Sequence, residues 1–317
     1  MGIGTGLGMA RFPFQRTETF WEWVELCDKG GIDSLWQTDR LISEEPFLEC
    51  MTALAAIAGA TKNLKFGMNV ASVALRDPLV LAKQCATIDF LSGGRLLPAF
   101  GIGATTAPEW EATGRATKGR GKRTDESLDI IARLWRGESV STEGEYYRYQ
   151  NAQISPLPVQ KPCPLWIGGS SEAAIRRTVR FGTGWQAGLE SPRGAGRARR
   201  SIIEALKEAI AKGEAIDPID PEHYGTGFFV HFGSIDDAVC QRELKRFARA
   251  APKRNLSHII AVGEKNILNN IQAYADEGIA KFILRPLAET DAELLTHTQR
   301  VIEEIVPRAT ELSINPD

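Results

Sequence analysis

Cysteine and histidine are scarce in this 317-residue chain. The five cysteines, Cys27, Cys50, Cys85, Cys163 and Cys240, are scattered, odd in number and never spaced C-x-x-C. That excludes a paired disulfide framework and a zinc ribbon, and leaves them as reduced, small core residues. Of the four histidines, His223, His258 and His297 stand at no ligand spacing from His231, so no metal centre is expected. No G-x-S-x-G elbow occurs, which argues against a Ser-His-Asp hydrolase. Long apolar runs are missing, and the opening MGIGTGLGMARFPF has no basic stretch leading into an apolar one. Neither a membrane span nor a secretory signal is therefore expected, and a cytoplasmic location is. An excess of one charge is missing too. With 38 basic and 40 acidic residues interspersed, the net charge of −2 gives no attraction to nucleic acid.

What is present is alternation. Short apolar runs begin at 3–9, 32–39 and 64–72, with a fourth in RLLPAFGIG and later ones in PLWIGG, GWQAGL, GTGFFVHFG and KFILRPL. Between them lie helical patterns: TETFWEWVELCDK, PFLECMTALAAIAGAT, PLVLAKQCATIDFLS, 119–136, and segments near 171–181, 193–212, 265–277 and 291–306. Eight such units predict an α/β fold, a single (β/α)8 TIM barrel filling 1–317. An open doubly wound sheet shares the alternation, because strand order is not written in one sequence, but the count favours the barrel. Residues 138–163, rich in proline and with a short aromatic strand pattern, predict an insertion with a small hairpin after the fourth helix.

In a barrel of this kind chemistry collects at the C-terminal strand ends. That rule selects Asp39 and Arg40 after strand two, and Asn69 and Val70 after strand three. It adds Gly101, Gly103 and Thr105 after strand four, Gly168, Gly169, Ser170 and Ser171 after strand five, Gln186, His231, and Arg285 on strand eight. In WIGGSSEAAIRR two glycines and two serines precede a helix, a cradle for phosphate at a positive helix end; an ordinary N-cap is the alternative. Arg285 tilts that choice towards phosphate. Asp39–Arg40 reads either as a structural tie or as a substrate contact, and His231 either as a rim residue or, through a neutral-range pKa, as a proton carrier. Trp36, Trp110 and Trp185 read as barrel packing or as apolar walls.

Taken in order, GIDSLWQTDR (31–40), LRDPLVLAKQCATIDFLSGGRLLPAFGIG (75–103), RGKRTDESLDIIARLWRGE (120–138) and YYRYQNAQISPLPVQKPCPLWIGGSSEAAIRRTVRFGTGW (146–185) resemble the bacterial luciferase-like flavin-dependent oxidoreductases. The resemblance runs from about residue 18 to 305. It implies a barrel holding reduced flavin or its deazaflavin relative at the mouth, a non-proline cis peptide at Asn69–Val70, and a flavin phosphate loop at Gly168–Ser171. It also implies close passage of the ring past Gly101 and Gly103, glycines that a plain tight turn would equally demand. The activity it implies first is that of a two-component monooxygenase using O2, a small organic substrate and FMN reduced by a separate NAD(P)H:flavin reductase. No nicotinamide-binding fingerprint occurs in the chain itself. In this reading His231 carries the proton, Arg40 and Arg285 supply positive charge, and Asp39 orients. The alternatives are hydride transfer with coenzyme F420 and, less favoured, flavin storage. Thr106 stands where the deazaflavin branch often has a carboxylate, and Asp39–Arg40 where it has Asp-His. A homodimer through barrel helices, with residues 48–60 as one candidate face, completes the expectation.

Overall fold

The computed structural model describes residues 2–9, 14–214, 216, 219–250 and 257–315. Eight parallel strands form the barrel wall: β1 (Gly4–Met9), β2 (Ser34–Gln37), β3 (Lys65–Met68), β4, β5 (Trp166–Gly168), β6 (Gly184–Gln186), β7 (Tyr224–His231) and β8 (Lys281–Pro286). Strand β4 is split at Pro98, which has no N–H for a ladder. Its first half, Leu96–Leu97, pairs with β3, and its second, Ala99–Gly101, pairs with β5. The two halves therefore close the ring, and the Pro98 carbonyl keeps its bond to the β5 side by accepting from the Trp166 N–H at 2.8 Å. Around the wall lie α1 (Thr17–Lys29), α2 (Cys50–Ala60), α3 (Pro78–Ser92), α4 (Arg120–Trp135), α5 (Glu172–Phe181), α6 (Pro192–Ala211), α7 (Ala238–Ala250), α8 (Glu264–Ala275) and α9 (Asp291–Arg300). The expected hairpin is there, Val140–Glu143 against Arg148–Ala152 between α4 and β5.

Helix α7 and a short strand, Ile260–Val262, which pairs with the end of β7, have no counterpart in the sequence reading. The apolar residues of α7, Val239, Cys240, Leu244 and Phe247, recur at helical spacing on one face among many charges, so the stripe is present in the sequence and was missed.

Glycine on β1 explains how the barrel fills. Gly4, Gly6 and Gly8 share one face at period two and point into the lumen. A Cβ on Gly6 would meet Ser34 and Trp36, and one on Gly8 would meet Ile283 and Arg285. Gly184 and Gly225 leave the same kind of room for Trp166. Trp36 and Trp166 can then meet edge to face at 5.5 Å inside the barrel, packed with Leu97, Ala99 and Ile283. Below them Lys281 and Asp33 pair across the N-terminal end. This leaves the C-terminal end for chemistry.

Candidate functional site

At the end of β3 the Asn69–Val70 peptide is cis, where the sequence resemblance placed it. The Val70 side chain stands between two glycines: a Cβ at Gly101 would lie 2.8 Å from its Cγ2, and one at Gly168 2.9 Å. These two glycines thus make room for Val70, whatever else passes near them. Gly103 has φ +71° and sits against Ser72 and Trp110, so its need is that of a tight turn. Thr105 lies on an exposed turn beyond it and does not line the mouth cleft.

Asn69 Oδ1 accepts from Gln186 Nε2 at 3.1 Å, joining β3 to β6 across the mouth. Asn69 Nδ2 and Gln186 Oε1 are buried without partners. On β5 the Ser171 hydroxyl caps α5 by accepting from the Ala174 N–H at 3.2 Å, so the N-cap alternative holds for Ser171. Ser170 differs: its Oγ is buried and unpartnered, beside Gly169 at φ +105°. Arg285 does not belong to this cradle. Strand β8 is separated from β5 by β6 and β7, which removes the argument that linked it to phosphate.

Asp39 is committed to structure. It accepts from Arg76 Nη1 and Nη2 at 2.8 and 2.7 Å and from the Ser72 N–H at 3.0 Å. Arg76 also reaches Glu49 at 3.0 Å. Arg40 faces the mouth, 3.7 Å from Glu109, whose side chain is buried and whose Oε2 has no partner. Glu109 was missed in the sequence because EWEATG shows no pattern that separates a mouth carboxylate from a helical surface one.

A cleft of about 230 Å³ opens between β1, β7, β8 and α7. Phe47, Phe229, Phe247 and Leu294 supply apolar wall, and Arg40, Arg246 and Arg285 enter it. His231 is not part of it. Its Nε2 lies 2.8 Å from Asp237 Oδ2 and its Nδ1 3.1 Å from the Leu287 carbonyl, which leaves no ring nitrogen for the cleft. Nor are the histidines apart in space. His231 and His297 meet edge to face at 5.1 Å, and their ligand atoms and that of Glu293 lie within 4.8 Å of one another. The Leu287 carbonyl lies 3.0 Å from Nδ1 of His297 as well. Trp36 is lumen packing, while Trp110 and Trp185 are held by bonds to the Ala104 and Gly169 carbonyls.

A family model described as luciferase-like monooxygenase matches residues 4–295. An uncharacterised protein of Mycobacterium tuberculosis is 34% identical over 149 residues, 47% of this chain and 50% of the relative, so the chain spans about half that relative's length. The F420-dependent glucose-6-phosphate dehydrogenase of Gordonia bronchialis is 24% identical over 92% of this chain and 94% of its own. Among solved structures, the oxygenating constituent of 3,6-diketocamphane monooxygenase of Pseudomonas putida, in complex with FMN, superposes with a TM-score of 0.76 at 16% identity. That superposition covers 99% of this chain and 100% of the other.

Proposed function

The chain belongs to the luciferase-like monooxygenase family, and from that premise we propose that it is the oxygenating component of a two-component FMN-dependent monooxygenase. It would oxidise a small organic substrate with O2, using flavin reduced by a separate NAD(P)H:flavin reductase. The observation that carries a flavin-type ligand is the set of buried polar atoms left without partners at the mouth: Asn69 Nδ2, Gln186 Oε1 and Ser170 Oγ. Buried polar atoms in folded proteins are as a rule hydrogen-bonded. These three stand at the C-terminal ends of β3, β5 and β6, on the same side of the barrel as Val70.

The residues fit the group. Ser170 and the first N–H groups of α5 suit a phosphate, Asn69 and Gln186 suit the edge of a ring with donors and acceptors, and Val70 offers that ring an apolar wall. When bound, reduced flavin supplies the electrons that activate oxygen. The chain's own part is to orient, to shield from water and to hold a proton at the rim. Glu109 takes over the proton role that the sequence assigned to His231, because its Oε1 lies 3.7 Å from Arg40 while its Oε2 is buried without a partner.

A second reading, hydride transfer with F420, is favoured by the Gordonia relative, which is alignable over almost the whole chain. Anaerobic fluorescence titration with reduced FMN and reduced F420, side by side, separates the two. Tighter binding of reduced FMN supports the oxygenase. Preference for F420 replaces it with hydride transfer, and tight oxidised FMN without turnover indicates storage. No helix among the described residues is long and apolar enough to cross a membrane. We also place a homodimer contact on α2 and α3, where Val80 and Leu91 stand exposed on one ridge beside a groove lined by Met51 and Ala55.

A further inference from the structure

Among the cations that line the mouth cleft, Arg285 stands apart. Arg246 is paired with Glu243, its Nε at 2.8 Å and Nη2 at 2.5 Å. Arg40 has Glu109. Among the described residues Arg285 has no ion pair, and its buried Nε has no hydrogen-bond partner. Its guanidinium carbon lies 5.5 Å from the Phe229 ring centroid, over the ring. Burial, and then the charge of Arg246, push the guanidinium down to about 10 against the opposing pull of Glu243. A buried cation of this kind is costly until an anion reaches it. Gly8 and Gly227 clear the space around it, since a Cβ at either would lie 3.3 Å from its side chain.

The position decides what the anion belongs to. Arg285 opens into a cleft walled by Phe47, Phe229, Phe247 and Leu294 that Asn69 also lines, so an anion there would lie beside the ring that Asn69 would hold, whereas the phosphate cradle at Ser170 lies beyond two intervening strands. We propose that this cleft is the substrate site, next to the ring position, and that it selects a compact organic anion, a carboxylate or sulfonate whose head pairs with Arg285 and whose apolar body packs on those four side chains. Arginine's planar fork suits both head groups, and the aromatic walls exclude the water that would screen the pair. That the anion is a substrate rests on the oxidoreductase reading above; that it binds does not.

The test uses hexanoate and hexanesulfonate as probes with hexanol as the neutral control, titrated calorimetrically into the flavin-free protein. Both anions are expected to bind at least about tenfold more tightly than hexanol, the scale of one charge-assisted hydrogen bond. Arg285→Met should bring the anions to the level of hexanol, leave reduced-FMN affinity unchanged and keep or raise the melting temperature, because an unpaired buried charge has gone. Arg285→Lys, which keeps the charge without the fork, should retain part of the preference. Equal binding of anion and alcohol by the wild type overturns the proposal, as does an anion preference that survives Arg285→Met. So does loss of reduced-FMN affinity in that variant, which would assign Arg285 to the cofactor. If the wild type binds the anions through Arg285 but no reduced flavin, the cofactor reading fails and the anion site stands. Flavin binding without anion binding sinks this proposal alone.

Discussion

Asp39 and Arg76 meet in a two-pronged ion pair, 2.7 and 2.8 Å, with the Asp39 side chain only 2% exposed. The pair ties the end of β2 to the loop that follows Asn69–Val70. Burial works to lower the Arg76 guanidinium, but the bonds and charge of Asp39, with help from Glu49, leave it above its ordinary value. Removing one partner of a buried pair strands the other. Asp39→Ala should therefore cost ~3 kcal/mol in urea unfolding and weaken flavin binding through the loosened loop. A fall in turnover with an unchanged unfolding midpoint would instead give Asp39 a chemical role.

Gly101 and Gly168 flank Val70, so a methyl group at either position would intrude on it. The Cβ of Gly168→Ala would lie 2.9 and 3.1 Å from the two Val70 methyls, and that of Gly101→Ala 2.8 Å from one of them. Overpacking of this size costs roughly 1–3 kcal/mol. The check is a double-mutant cycle, in which Val70→Ala should recover most of the loss caused by either alanine. Simple addition of the effects would show that these glycines answer to something other than Val70.

Much of the barrel was legible because its signals are local: period-two strands, amphipathic helices, and glycines that a strand tolerates only when it must make room. The Gly-Gly-Ser-Ser turn before α5 was legible for the same reason. Pairing across the barrel was not. Asp39 sits next to Arg40 in the chain but is bound by Arg76, and His231 stands at a strand end yet turns to Asp237 and Leu287. Arg285 looked like a neighbour of β5 until the strand order separated them. Which side chain finds which partner is set by closure of the sheet, and Glu109 shows the limit, since only the folded mouth reveals that its carboxylate is buried.

Two histidines, His297 buried and His223 half-buried, give the fold a pH dependence. His223 is held below its ordinary value by burial, and His297 by burial and then by neighbouring His231. The unfolded chain takes up these protons near pH 6.5, before the folded protein does. Their contribution is therefore complete above that pH and is lost as the pH falls towards the lower folded values. Urea midpoints measured from pH 8 to 5 should fall over that window. His297→Gln, which can still donate to the Leu287 carbonyl, should flatten the decline.

The exposed apolar ridge of α3 makes the homodimer testable. Val80 and Leu91 are 55% and 64% exposed, with Phe90 beside them at 55%. So much accessible apolar surface on one helix suits an interface. Leu91→Glu should shift the protein towards monomer in sedimentation equilibrium while leaving its melting temperature nearly unchanged at low concentration. An unaltered association constant would place the contact elsewhere.

Ser170 offers the cleanest separation of phosphate recognition from ring recognition. Its hydroxyl is buried without a partner at the start of α5, whereas Ser171 is already occupied as a cap. A bond from Ser170 to phosphate would be charge-assisted, so Ser170→Ala should weaken FMN roughly tenfold. Riboflavin has the same ring and no phosphate, and its affinity should not change. Ser171→Ala should differ in kind: the lost cap would cost about 1 kcal/mol of stability and move both ligands together. If Ser170→Ala weakens riboflavin as much as FMN, the phosphate lies elsewhere and the partnerless hydroxyl at 170 needs another explanation.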